Sequence, residues 1–199
     1  MAGVQSEFGL VVGLGNVGDR YVGTRHNAGF WYVEGLAERF GEAFRDDRRL
    51  PGALARIQRP GRDVRLLKPG SLMNRSGTPT AALARYHRIE PARILVAHDD
   101  LDLPPGSVRV KFGGGHGGHN GLRDLDSRLG TREYWRLRIG IGHPGERSEV
   151  TAYVLRRPAA EERRLMLAAI ERALEESERL VIAGDIEGAM HALHSTNPR

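Results

Sequence analysis

Residues 113–121 read Gly-Gly-Gly-His-Gly-Gly-His-Asn-Gly, six glycines in nine positions with no apolar side chain to bury. Glycine loses more backbone freedom on folding than any other residue, so such a run is destabilising unless the chain must take positive φ or lie close against something else. A ligand is the natural candidate. His116, His119 and Asn120 can donate and accept hydrogen bonds near neutral pH, which suits hydrolysis or acyl transfer as well as phosphate binding. Elsewhere, His26 stands in Thr24-Arg25-His26-Asn27-Ala28-Gly29, immediately before an expected helix, and Asp99 follows a compact apolar run. A buried carboxylate of that kind can hold a distant imidazole in one tautomer and raise its basicity, as the third member of a triad does. There is no cysteine, and no serine occupies an obvious nucleophile turn, so His26 with Asp99 would activate water rather than a side chain. Asn16, Asn27, Asn74 and Asn120 form an amide-rich set across separate loops, able to bind peptide main chain without adding charge. Each has a plainer use as well: Asn27 or Thr24 as a helix N-cap, Asn74 as a turn residue, Asp100 or Asp102 as the start of the Leu103-Pro104-Pro105-Gly106 turn.

Two other chemistries compete for these residues. Gly13-Leu14-Gly15-Asn16-Val17-Gly18 matches the G-x-G-x-x-G dinucleotide fingerprint directly after a strand. That fingerprint works when its last glycine opens a helix whose N-terminus holds the pyrophosphate, whereas here residues 19–24 continue as a polar loop, which argues against a nicotinamide or flavin cofactor. His98-Asp99-Asp100-Leu101-Asp102, joined by His116 and His119, could instead gather a divalent cation. The helical spacing of metal-binding histidines is absent, and the glycine run is too pliable to fix a coordination shell unaided.

Around these residues lies a chain of 199 residues, 40% hydrophobic, long enough for one sizeable core and short for two, so residues 1–199 are expected to form a single domain. No apolar run is long enough to span a bilayer, and Met1 to Glu7 lack a basic stretch leading into an apolar segment, from which a cytoplasmic protein is expected. Without cysteine, disulfides and Cys-bound zinc are excluded. A formal charge of +5 favours polyanionic partners, although only Lys68 and Lys111 among 30 basic residues are lysine, and charge alone leaves nucleic acid at even odds.

The elements that must carry the polar residues follow from apolar patterning. Residues 8–12 and 94–97 read as buried strands, with further strands expected at 54–57 and 64–67, joined through Pro60-Gly61, and at 108–112 and 137–141. Phe30, Val33, Leu36, Ala37 and Phe40 fall on a helical period ending at Gly41. Further helices are expected at 76–86, 122–129, 158–182 and 185–194, with the tail from Ser195 onward frayed. Alternating strands and helices predict an α/β sandwich with a mostly parallel sheet, whose ligands bind beyond the carboxyl ends of the strands. Asn16, Asp99 and the glycine run each follow a strand, as that rule requires.

Five ordered motifs carry a joint resemblance: Gly13-Leu14-Gly15-Asn16 with Tyr21-Val22-Gly23-Thr24-Arg25-His26-Asn27-Ala28-Gly29-Phe30; Met73-Asn74-x-Ser76-Gly77; residues 97–106 around His98-Asp99-Asp100-Leu101-Asp102; residues 114–122; and residues 136–145. Together they resemble the bacterial peptidyl-tRNA hydrolases from about Leu10 to Gly145, and the helical tail also fits. The resemblance implies a single α/β domain around a mixed sheet, monomeric, with neither cofactor nor metal, that hydrolyses the ester joining a peptide to the 3′ ribose of tRNA. It implies His26 as general base for water with Asp99 as its partner. Asn16 and Asn74 would position peptide and water, and Asn120 would help stabilise the tetrahedral oxyanion. Tyr21, Met73 and His119 would line the site, while Lys111 and Arg138 would grip the phosphate end of tRNA. An ester has a reasonable leaving group, so one base, one carboxylate and neutral donors suffice without a metal ion.

Two departures stand out. Val17 replaces the proline usual after Asn16, removing a fixed φ, and Asp100 stands where a glutamate is common. A non-catalytic RNA-binding relative, like the plant organellar splicing factor that shares this scaffold, is the main rival function; the retained His26, Asp99, Asn16, Asn74 and Asn120 favour the enzyme.

Overall fold

Side chains alternate in direction along a strand, so a strand buried on both faces feeds odd and even residues into separate cores. β1 (Leu10–Gly13) and β5 (Ile94–Asp100) do this in the computed structural model, which describes residues 7–195. On one face Val11, Leu95 and Ala97 pack with Tyr32, Val33 and Leu36 of α1 (Ala28–Arg39) and with Met166, Ala169 and Ile170 of α5 (Ala160–Glu175). On the other, Leu10, Val12, Ile94 and Val96 meet Leu83 and Ala84 of α2 (Gly77–Tyr86) and Leu122 and Leu125 of α3 (Asn120–Leu129). The parity continues to the end of β5. Asp99 follows Leu95 and Ala97, and His98 follows Ile94 and Val96.

Among the described residues, one seven-stranded sheet runs β2-β3-β4-β1-β5-β7-β6, with β2 at Arg45–Asp46, β3 at Gly52–Arg59, β4 at Arg62–Pro69, β6 at Val108–Phe112 and β7 at Trp135–Gly140. The four central strands are parallel, and the antiparallel neighbours lie towards the edges: β3 and β4 form a hairpin, β2 adds to β3, and β6 pairs with β7. The sheet is mixed and mostly parallel, flanked by helices on both faces, as expected. Gly61 turns the β3–β4 hairpin at φ 73°, the conformation for which Pro60-Gly61 was read.

Gly13 and Gly29 explain why the first glycine motif is there. A Cβ on Gly29 would lie 2.3 Å from the Ala97 carbonyl oxygen and 2.5 Å from the Leu14 nitrogen, and one on Gly13 would lie 2.4 Å from the Gly29 carbonyl oxygen. The start of α1 therefore rests directly on the ends of β1 and β5. Residues 18–24 form turns and bends, and the first helical turn begins only at Arg25. The motif serves backbone packing, in keeping with the reading against a dinucleotide.

The sequence misplaces three details. The helix expected at 158–182 ends at Glu175, and residues Glu178–Ala183 form a wider π-type turn closed by Gly184 at φ 71°. Leu180, Val181 and Ile182 are all buried, and three consecutive side chains do not fit one stripe of an α-helix. α4 (Val150–Val154) and the two-residue β2 carry too little pattern to be read. Asn27 does not cap α1 with its side chain, which is engaged elsewhere. The last helix, α6, spans Ile186–Ser195, and the expectation of a frayed tail beyond Ser195 lies outside the described residues, as do Met1 to Ser6.

Candidate active site

Asp99 leaves the end of β5 on the α1 side, where the turn Arg25–Asn27 presents His26. Nδ1 of His26 lies 3.0 Å from both carboxylate oxygens. An ionised carboxylate only accepts, so Nδ1 carries the proton and Nε2 keeps its lone pair. His119 reaches the same carboxylate from the other side of the sheet. As the N-cap of α3 it accepts, through Nδ1, the amides of Gly121 at 3.1 Å and Leu122 at 3.3 Å, so its proton is on Nε2, which donates to Asp99 Oδ1 at 3.0 Å. The two imidazoles lie 4.9 Å apart, centroid to centroid. Burial pushes the Asp99 carboxyl up, but His26 and His119 outweigh it and hold the group below the ordinary carboxylate range.

The amides are fixed by one another. Asn27 accepts the Asn16 main-chain N–H at 2.8 Å and donates to the Asn16 carbonyl at 3.0 Å, which straps the loop after β1 to the turn that carries His26. Asn16 Oδ1 accepts the Met73 amide at 2.7 Å. Its NH₂ group is left to donate. The bracing holds the Asn16 backbone through both its N–H and its carbonyl, next to a Val17 that supplies no fixed φ. Asn74 and Asn120 are exposed, the latter as the first residue of α3, and Tyr21 is half-buried.

The ten residues to which the resemblance gives roles, His26, Asp99, Asn16, Asn74, Asn120, Tyr21, Met73, His119, Lys111 and Arg138, all line one cleft of about 790 Å³, while Asn27 lies behind it. At its basic end Lys111 is exposed and has no carboxylate partner among the described residues. Arg138 donates from Nε to Asp100 Oδ2 at 2.7 Å, while Asp100 Oδ1 accepts the Asp102 amide at 2.9 Å, so Asp100 opens the turn as its plainer reading required. Another stretch of wall, mostly apolar, comes from Leu101 and from Val150, Thr151, Val154 and Leu155 in and just after α4, with Arg147 preceding it. The carboxylate-rich cation set is not assembled: Asp100 is bound to Arg138, and His116 accepts the Gly118 amide at 3.1 Å. Among the described residues the group able to hold a metal ion is His26, Asp99 and His119, whose ligand atoms lie within 4.8 Å of one another and are already hydrogen-bonded together.

The roles of three neighbours escape sequence reading, and one of them, His98, reads only as part of a cation set. Arg136 is buried, and its guanidinium holds the glycine run through the carbonyls of Gly115 at 2.6 Å and Gly114 at 2.7 Å. Gly113, Gly114, Gly117 and Gly118 all take positive φ, so the run is a clamped, specifically folded loop. His98 donates from Nδ1 to the Asp99 carbonyl at 2.7 Å and meets His119 edge to face at 5.2 Å, with Nε2 buried and unpartnered. Arg25, beside His26, is buried too. Their partners are mostly main-chain carbonyls and rings, which no residue pattern announces.

A sequence model of the family described as Peptidyl-tRNA hydrolase matches residues 10–199. The chain belongs to the peptidyl-tRNA hydrolase family. It is 50% identical over 195 residues to the peptidyl-tRNA hydrolase of Halorhodospira halophila, covering 98% of this chain and all of that one. It is 50% identical over 186 residues to that of Neisseria gonorrhoeae, covering 94% and 96%. The crystal structure of the Acinetobacter baumannii peptidyl-tRNA hydrolase superposes with a TM-score of 0.93 at 45% identity over 98% of both chains. No helix among the described residues is long and apolar enough to cross a membrane.

Proposed function

We propose that the cleft hydrolyses the ester of peptidyl-tRNA through a water deprotonated by Nε2 of His26. The observation that carries this reading is the paired contact of His26 Nδ1 with both Asp99 oxygens at 3.0 Å, which commits the opposite nitrogen to accept a proton. As the imidazole becomes imidazolium, the Asp99 carboxylate stabilises the new charge at contact distance. His119, held through Nδ1 at the start of α3, keeps that carboxylate aimed with its Nε2.

The NH₂ of Asn16 is the donor left over once its oxygen is taken by Met73, and it holds a peptide carbonyl. Asn74 binds peptide or water beside it. Asn120 and the positive end of α3 face the oxyanion of the tetrahedral intermediate, where one preorganised donor typically lowers a barrier by a few kcal/mol, of order hundredfold in rate. Tyr21, Met73 and His119 complete the lining. Lys111 and Arg138 take the tRNA phosphates at the basic end, and the apolar α4 wall leaves the peptide the other. The cleft needs no residue beyond those named, in keeping with a monomer as the working unit, and a substrate of translation favours a cytoplasmic setting.

The decisive experiment is single-turnover hydrolysis of labelled peptidyl-tRNA beside its aminoacyl counterpart. Cleavage confined to the peptidyl form is expected, and His26→Ala is expected to lose at least about a hundredfold in rate with tRNA affinity kept within a few-fold. Full activity in that variant removes His26 as base; binding without cleavage in the parent chain removes the hydrolase reading.

A further inference from the structure

Arg25 makes more contacts than any structural filler needs. Its Nη1 donates to the carbonyls of Tyr153 at 3.2 Å, Arg156 at 3.1 Å and Arg157 at 3.3 Å, and its Nη2 to Glu162 Oε2 at 2.6 Å. Its own backbone N–H reaches the Arg156 carbonyl at 3.3 Å, and the guanidinium carbon sits 4.1 Å over the Tyr153 ring. The three carbonyls belong to the end of α4 and the residues that follow it, where a helix leaves carbonyls without intrahelical partners and presents its negative pole. Glu162 accepts the Ala159 amide at 2.8 Å with the same oxygen, so it also starts α5. Tyr153 is anchored in turn, its hydroxyl donating to the Ile141 carbonyl at 2.6 Å, just beyond β7.

One buried guanidinium thus joins three bodies: the turn bearing His26, the end of the apolar cleft wall, and the first turn of α5. The wall residues Val150, Val154 and Leu155 and the imidazole of His26 line the same cleft. We propose that Arg25 is a positioning residue, which sets the distance between the base and the peptide-facing wall so that an ester held against α4 lies in line with the water on His26. This rests on the reading of His26 as general base. Asn27 holds the far side of the same turn to Asn16, so the imidazole is gripped from both flanking residues, by an amide towards the strand ends and by a guanidinium towards α4.

The consequence is kinetic. Loss of Arg25 leaves the tRNA-binding end untouched and lets the base drift against the ester, so the penalty falls on kcat. In steady-state hydrolysis of peptidyl-tRNA, Arg25→Ala is expected to lower kcat at least tenfold with KM within about twofold, and millimolar guanidinium ion is expected to restore part of that kcat where methylammonium does not. Arg25→Lys, which keeps the charge and loses the fork, should fall between. Should Arg25→Ala not fold, Glu162→Gln decides: it removes the ionic partner while an amide can still start α5, and a several-fold fall in kcat at constant KM is expected. An unchanged kcat in folded Arg25→Ala or Glu162→Gln, or a loss confined to KM, overturns the proposal. His26→Ala measured alongside separates the two readings: if it is inactive while the Arg25 variants match the parent, only the positioning role fails; if it is active, the base assignment fails first.

Discussion

At the scale of single residues, the site is a set of donors and acceptors with almost every choice already made. Asp99 accepts from two imidazoles, the tautomer of His26 follows from that carboxylate and the tautomer of His119 from the amides its Nδ1 accepts, and the Asn16 amide is left with donors because its oxygen is spent. His98 is the exception, a buried imidazole with one nitrogen unpaired. Burial first, and then the neighbouring His119, push it down to about 4 from an ordinary 6.5. A histidine whose folded pKa is depressed favours the unfolded state as protons become available, because the unfolded chain binds them first. Stability is therefore expected to be full above about pH 6.5 and to fall as pH drops from there towards 4, and below the ordinary carboxylate range the depressed Asp99 adds to the same loss. Urea midpoints measured from pH 7.5 to 4 check this, and His98→Gln should flatten the slope over that window; an unchanged slope counts against the assignment. The residues of the cleft were legible only jointly, because histidine, aspartate and asparagine in loops after strands each have a plainer use as caps or turns, and it is the five ordered motifs together that single them out. His98, in the same motif as Asp99, was read only as part of a metal set, since nothing in its spelling tells a ligand from a buried ring.

At the scale of elements, the legible parts are those whose patterning decides between two faces. β1, β5 and α1 announce themselves through continuous or periodic apolar runs, and they position Asn16, Asp99 and His26. α4 does not, because five residues without a repeat cannot signal a helix, although it supplies the cleft wall. The close contact of α1 with the strand ends is encoded by glycine at 13 and 29, where the sequence offered a cofactor motif and the structure uses it for packing. Gly29→Ala would force a Cβ to within 2.3 Å of the Ala97 carbonyl. Overpacking of this kind costs about 1–3 kcal/mol, and because the shift moves the turn preceding α1, hydrolysis is expected to fall by more than the loss of folded protein explains. Chemical denaturation and rate per folded molecule, compared for this variant, check both parts.

At the scale of the whole molecule, a formal charge of +5 is distributed between arginines held in ion pairs, such as Arg39, Arg56, Arg164 and Arg179, and cations that have none among the described residues, of which Lys111 lines the cleft. tRNA affinity is expected to weaken steeply between about 50 and 200 mM salt, and Lys111→Ala is expected to reduce the slope of log affinity against log salt by about one. Arg138→Ala should change it less, since Asp100 already neutralises that side chain. A parent slope near zero contradicts the phosphate contacts altogether. Charge composition alone did not disclose this, because it counts arginines without saying which carry carboxylate neighbours.

The parity of β5 gives the molecule one more property. His26 arrives at Asp99 with the layer built by α1, and His119 arrives with the layer built by α3, so a chain that has docked helices on only one side of its sheet owns half a pair of tongs. Under the proposed mechanism, competence then requires both layers to be seated, because the carboxylate is completed from each side of the sheet.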